Sequence, residues 1–168
     1  MKRLIAFSDK LSNFGGNLSG IMMIIGLILV VSEILVRGLF SKTLYITEEY
    51  TGYLMAGLTY VALGYTLKEK GHIRMTFLLT YLPERKRLVL EMVCFAIGFS
   101  FSIGLTYVTF MFFLDSLMSG SRSMQVSGTP LAIPQFFLPF GASIMTLQFL
   151  AEFLKTWKAF KEKSPVKE

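Results

Sequence analysis

The chain has 168 residues, of which 53% are hydrophobic and 17% charged, with 17 Lys and Arg against 11 Asp and Glu. A soluble domain carries about 25% charged residues, and here the charges are also segregated, since residues 11–32, 50–67, 92–114 and 123–151 contain none. That pattern excludes a soluble bundle, whose helices need a polar face, and a nucleic-acid-binding module, because the basic excess flanks apolar runs.

Each uncharged interval reaches or approaches the roughly 20 residues that a helix needs to cross a hydrocarbon core ~30 Å thick. The expectation is an all-α integral membrane protein, a single membrane domain over residues 1–168. Four transmembrane helices are predicted, at about 13–40, 48–70, 86–115 and 133–156, with a short interfacial amphipathic helix between the second and third. No cleaved leader is expected, because the first apolar run exceeds a signal-peptide core and no small-x-small site closes it.

Met1 to Lys10 is short and basic, and Ser12 or Asn13 is placed to cap the first helix. Glu33 and Arg37 fall in its last two turns, four residues apart, which suits an ion pair near the membrane boundary. Gly16 and Gly20 form a GxxxG that would permit close helix contact, although such spacings also arise by chance. Thr47 is a plausible cap for the second helix, with Glu48 and Glu49 at the positive end of its dipole, and Gly71 is a natural stop. Over residues 73–82, Met75, Leu78, Leu79 and Leu82 share one apolar face, so this stretch reads as a helix lying along the membrane surface, ended by Pro83. The alternative is a basic loop. After the third helix, residues 115–128 form a Ser- and Gly-rich connection. The fourth helix starts near Ile133 or Pro134, with Pro139 as a kink, and ends past the interfacial Trp157 in a basic, solvated tail beginning at Lys155.

Counting Lys and Arg, the amino terminus has 3, residues 68–87 have 6 and the tail has 5, against 3 on the other connections. The positive-inside rule then places both termini in the cytoplasm. Paired haem ligands, paired thiols and a zinc set are all ruled out by one histidine, His72, and one cysteine, Cys94. Cys94 is expected to pack as a small apolar residue. No catalytic, substrate-binding or metal site is expected, and no cofactor. Charged residues avoid the middles of the helices, whereas a self-sufficient transporter would place ionisable or broken-helix elements there. Thr59, Ser100, Ser102, Thr106 and Thr109 are left to hydrogen-bond between helices. At the membrane edge His72 suits capping or partner binding better than proton relay, and Arg74 suits a lipid phosphate or a partner carboxylate.

Several short motifs then fall in a recognisable order: Val36-Arg37 with Phe40, Thr47-Glu48-Glu49, Ala62-Leu63-Gly64, Gly71-His72-Ile73-Arg74, Leu82-Pro83, and Ile133-Pro134 with Pro139. In that order and spacing, over about residues 30–150, the chain resembles the DctQ-type small membrane subunit of tripartite ATP-independent periplasmic (TRAP) transporters. Tyr45-Ile46 departs from the tryptophan common before the acidic pair. The resemblance implies a bacterial inner-membrane protein that partners a large permease subunit (M-type) and a periplasmic substrate-binding protein. The system would import an organic acid, such as a sialic acid or a dicarboxylate, with a sodium gradient. Substrate and sodium sites would belong to the large subunit. The structural and partner-contact residues expected here are Arg37 with Glu48 or Glu49, His72, Arg74, Pro83, Pro134 and Pro139. The alternative is a small transporter or channel formed by self-association.

Overall fold

A computed structural model describes residues 2–69 and 83–162. The chain folds into helices α1 (Lys2–Phe40), α2 (Thr47–Lys68), α3 (Glu84–Ser119), α4 (Ala132–Gln135) and α5 (Phe137–Glu162). The segment assigned to an interfacial helix, with His72 and Arg74, lies outside the described residues. No proline occurs before Pro83, so nothing interrupts α1 or α2. At about 1.5 Å per residue, α1 is about 58 Å long, well beyond the thickness of a hydrocarbon core.

α5 is the hub. It packs against α1, α2 and α3, and α1 also packs along α2, whereas α3 leans on α5 and α4. Small residues set these approaches. A Cβ at Gly15 would meet the Val61 carbonyl oxygen at 2.7 Å, and one at Gly16 would enter the Tyr65 ring. Gly64 accommodates the Ile144 side chain, and Gly141 lies directly against the Tyr60–Val61 backbone. On the other flank Gly98 receives the Phe149 ring. Val61, Ala142, Ile144 and Ala151 are fully buried, with Ile144 packed on Gly64 and Gly15. Gly20 has open space around it, so the expected GxxxG makes contact through Gly16 alone.

Among the described residues, three helical stretches are long and apolar enough to cross a membrane: Lys2–Phe40, Glu84–Ser119 and Ala132–Lys161. Four tyrosines, Tyr50, Tyr53, Tyr60 and Tyr65, make the 22-residue α2 less apolar than these three. Helix ends also differ from expectation. α1 begins at Lys2 and takes Ser12 and Asn13 into its interior, because Ser8 and Ser12 face α5 and bond there. Thr47 makes no cap bond and instead donates to Glu33 at 3.5 Å. Pro83, with ψ 144°, precedes the first turn of α3 and its carbonyl accepts from the Arg87 N–H. α3 runs through Asp115 to Ser119, where Gly120 adopts φ 61° and closes it with a bond to the Ser116 carbonyl. Pro139 lacks an N–H for Gln135 and its ring crowds that carbonyl, so the helix breaks at Phe136 between α4 and α5. Pro139 therefore sits in the first turn of α5.

Candidate functional site

α1 and α3 run from the end of the bundle near the amino terminus, here called the terminal end, to the opposite, loop end; α2 and α5 run back. Each end carries a polar cluster. At the loop end the Glu33 carboxylate is the organiser. Its Oε1 accepts from Arg37 Nη2 at 2.6 Å and Nε at 3.1 Å, and its Oε2 accepts from the Leu44 N–H at 2.7 Å. The Glu33–Arg37 pair expected from the sequence is present. The expected bridge from Arg37 to Glu48 or Glu49 is replaced by this one, because Glu33 is within reach on the same helix face and also ties down the α1–α2 turn. Arg37 and Glu48 nevertheless line one cleft of about 260 Å³, with Glu33, Leu44, Gln125 and Val126.

Glu49 is buried and turns to the loop between α3 and α4. It accepts from the Tyr53 hydroxyl at 2.8 Å and the Ser127 hydroxyl at 2.6 Å, and Tyr50 pairs with Thr129 at 3.1 Å. That loop is a compact hairpin. Ser123 N–H bonds to the Thr129 carbonyl at 2.9 Å, Leu131 N–H to the Ser121 carbonyl at 3.0 Å, and Gly128 turns at φ 57°. Arg122 and Pro130 form an antiparallel bridge within it. Its tip presents Met124, which is 106% exposed, and Val126, at 81%. Pro134 borders an apolar cavity of about 150 Å³ beneath, beside Tyr53, Leu54 and Phe137.

At the terminal end lies a cluster that composition did not reveal. Gln148, fully buried in α5, accepts on Oε1 from Ser8 and Ser12 at 2.8 Å each. Its Nε2 donates to Asp9 at 3.0 Å and Glu152 at 3.1 Å. Lys155 Nζ closes the ring with 2.8 Å bonds to both of those carboxylates. Lys155 is therefore part of the packed bundle and not of a solvated tail. Gln148 and Glu152 are one helical turn apart at the end of an otherwise apolar run, which is the signal that could have marked them.

Within the bundle, Thr106 on α3 reaches Thr146 on α5 at 3.0 Å. Thr59, Ser100, Ser102 and Thr109 bond instead to carbonyls three or four residues back on their own helices. Cys94 is exposed, on the outward face of α3. Among the described residues no group of three or more His, Cys, Asp or Glu is placed to hold a metal ion. Both clusters join helices, and among the described residues the charge-free stretches 11–32, 50–67, 92–114 and 137–151 separate them.

A family model for the DctQ component of tripartite ATP-independent periplasmic transporters matches residues 26–159. The ectoine TRAP transporter small permease protein TeaB of Halomonas elongata is 26% identical over 142 residues, covering 82% of this chain and 73% of that protein.

Proposed function

Because the chain belongs to the DctQ component family of the tripartite ATP-independent periplasmic transporters, we propose that it is the small membrane subunit that braces the large permease of such a system. The observation that carries this reading is the outward face of the two longest helices. In α1 and α3 only 11% of the most apolar window is buried within the chain, although the helices are 39 and 36 residues long. Two long rods anchored on one hub helix offer a broad apolar surface to lipid and to a larger membrane partner. Apart from Thr51 Oγ1 and Gln135 Oε1, the buried polar side chains described are bonded within the chain, which suits a scaffold better than a substrate path.

In this reading α2 is a fourth span, since its 22 residues pack on both α1 and α5 and leave a smaller surface to be apolar. Both termini lie in the cytoplasm by the 14-to-3 distribution of basic residues. The loop end then faces the periplasm, and its rigid hairpin tip, with exposed Met124 and Val126, is suited to docking the substrate-binding protein. The transported substrate is an organic acid and the driving ion is sodium, both handled by the large subunit; the relative TeaB is named as part of an ectoine transporter. The chain contributes no catalytic chemistry.

Affinity purification of the tagged chain from its own membranes tests this. A large multi-helix permease should accompany it in near-equal amount. Substrate uptake by the purified chain alone in liposomes would overturn the reading in favour of a self-associating transporter.

A further inference from the structure

At the terminal end the end of α2, the start of α3 and the last third of α5 diverge around a cleft of about 350 Å³. Its walls include Lys68 from α2, Glu91 and Phe95 from α3, and Glu152, Lys155 and Ala159 from α5. The depth of the cleft is marked by Trp157, which is exposed on α5 and packed on Phe153 with ring centroids 6.2 Å apart. Tryptophan prefers the headgroup level of a bilayer. A pocket of about 300 Å³ or more there is large enough for a small ligand and opens where lipid headgroups lie.

The wall has no net charge, with two ammonium groups and two carboxylates. Those charges are held in place. Lys68 Nζ bonds Asn13 at 2.8 Å and Glu69 at 2.7 Å, Lys155 Nζ is fixed between Asp9 and Glu152, and Glu91 pairs with Arg87 at 3.4 Å. Among the described residues the bonds to Glu152 converge on Oε1, from Gln148 and Lys155, and an ionised carboxylate offers about four acceptor positions. Phe95 and Ala159 supply the apolar part of the wall.

We propose that this cleft holds the headgroup of a zwitterionic phospholipid bearing a primary ammonium, phosphatidylethanolamine. Its ammonium donates to the Glu91 and Glu152 carboxylates, its phosphate sits against Lys68, and its acyl chains descend along α3 past Phe95. A choline headgroup fits the charge but has no N–H to donate. A glycerol headgroup brings a net negative charge and no ammonium, so it offers no cation to the two carboxylates of a wall whose own charges already balance. The inference rests on neither the transporter reading nor the choice of leaflet.

The full chain, delipidated in detergent, should be offered equal amounts of phosphatidylethanolamine, phosphatidylcholine and phosphatidylglycerol, with bound lipid counted by native mass spectrometry. Phosphatidylethanolamine should be retained about tenfold over either competitor, the ratio expected from about 1.4 kcal/mol. Glu91→Gln should reduce that preference to about threefold or less while helicity is kept, and Lys161→Gln, on a residue outside the lining, should leave it unchanged. Ala159→Phe, which fills the cleft and leaves every charge in place, should expel the lipid and provides the same readout should Glu91→Gln fold poorly. Equal retention of the three lipids, a preference for phosphatidylglycerol, an unaltered preference in folded Ala159→Phe, or a protein helix in the cleft of a purified complex would each overturn the assignment.

Discussion

Gln148 is the residue on which the terminal end depends. It uses both amide atoms, and its four bonds reach Ser8, Ser12, Asp9 and Glu152. Gln148→Leu fills the same space yet strands Ser8 and Ser12, both at 1% exposure or less. The loss should be about 1–3 kcal/mol, read as a lower midpoint of thermal unfolding in detergent. Ser12→Ala removes one bond of the set and should cost about 1 kcal/mol. Glu33 holds the corresponding position at the loop end. Its partner Arg37 is more than half exposed, so that ion pair is worth little, about 0–1 kcal/mol. The Leu44 N–H bond matters more, because it fixes the turn into α2. Glu33→Ala should therefore destabilise the chain more than Arg37→Gln, and an equal effect of the two on unfolding midpoints would contradict this ordering.

Between elements, glycine decides how closely helices approach. Gly141 lies against the backbone of Tyr60 and Val61, and a backbone cannot yield as a side-chain tip can. Gly141→Leu should force α2 and α5 apart and sharply reduce the yield of folded protein. Gly104, with nothing within 4 Å, should accept leucine with the fold intact. Comparable folded yields for the two variants would contradict the seam described here. The hairpin at residues 121–131 is an element in its own right. It is fastened to α2 by Ser127 on Glu49 and by Thr129 near Tyr50. Glu49→Gln keeps the shape but weakens a charge-assisted bond, and protease cleavage in the hairpin should accelerate about fivefold, as expected for about 1 kcal/mol of local opening.

For the molecule as a whole, the arrangement is a three-helix core of α1, α2 and α5 with α3 as a flanking arm. If both termini are cytoplasmic, a cysteine placed at Met124, in a chain whose Cys94 is replaced by serine, should react with an impermeant thiol reagent added outside spheroplasts. One placed at Lys161 should react only after permeabilisation. The reverse pattern would invert the orientation and move the hairpin away from any periplasmic partner. Apolar exposure is a property of this scale too. Residues such as Ile28, Ile34, Phe101 and Val108 are far too exposed for a protein in water, and they make sense only against lipid or a second membrane subunit.

Membrane residence and helical class follow from the chain's linear order, because the bilayer imposes a length and a polarity that charge-free intervals display directly. The Glu33–Arg37 pair was equally legible, being one helical turn apart, and so was the resemblance carried by Thr47-Glu48-Glu49 and the paired prolines. Helix ends were harder to place. Ser12 looks like a cap in sequence, yet it is interior because its partner, Gln148, lies 136 residues away. Lys155 looks like part of a solvated tail, yet it closes a ring with Asp9, 146 residues away. Which carboxylate Arg37 would take, which glycines would be contacts, and where three helices would part to leave a cleft all depend on distances between segments remote in sequence. Local propensity and hydropathy record what each residue prefers to touch, and only the packed fold supplies the neighbour that it meets.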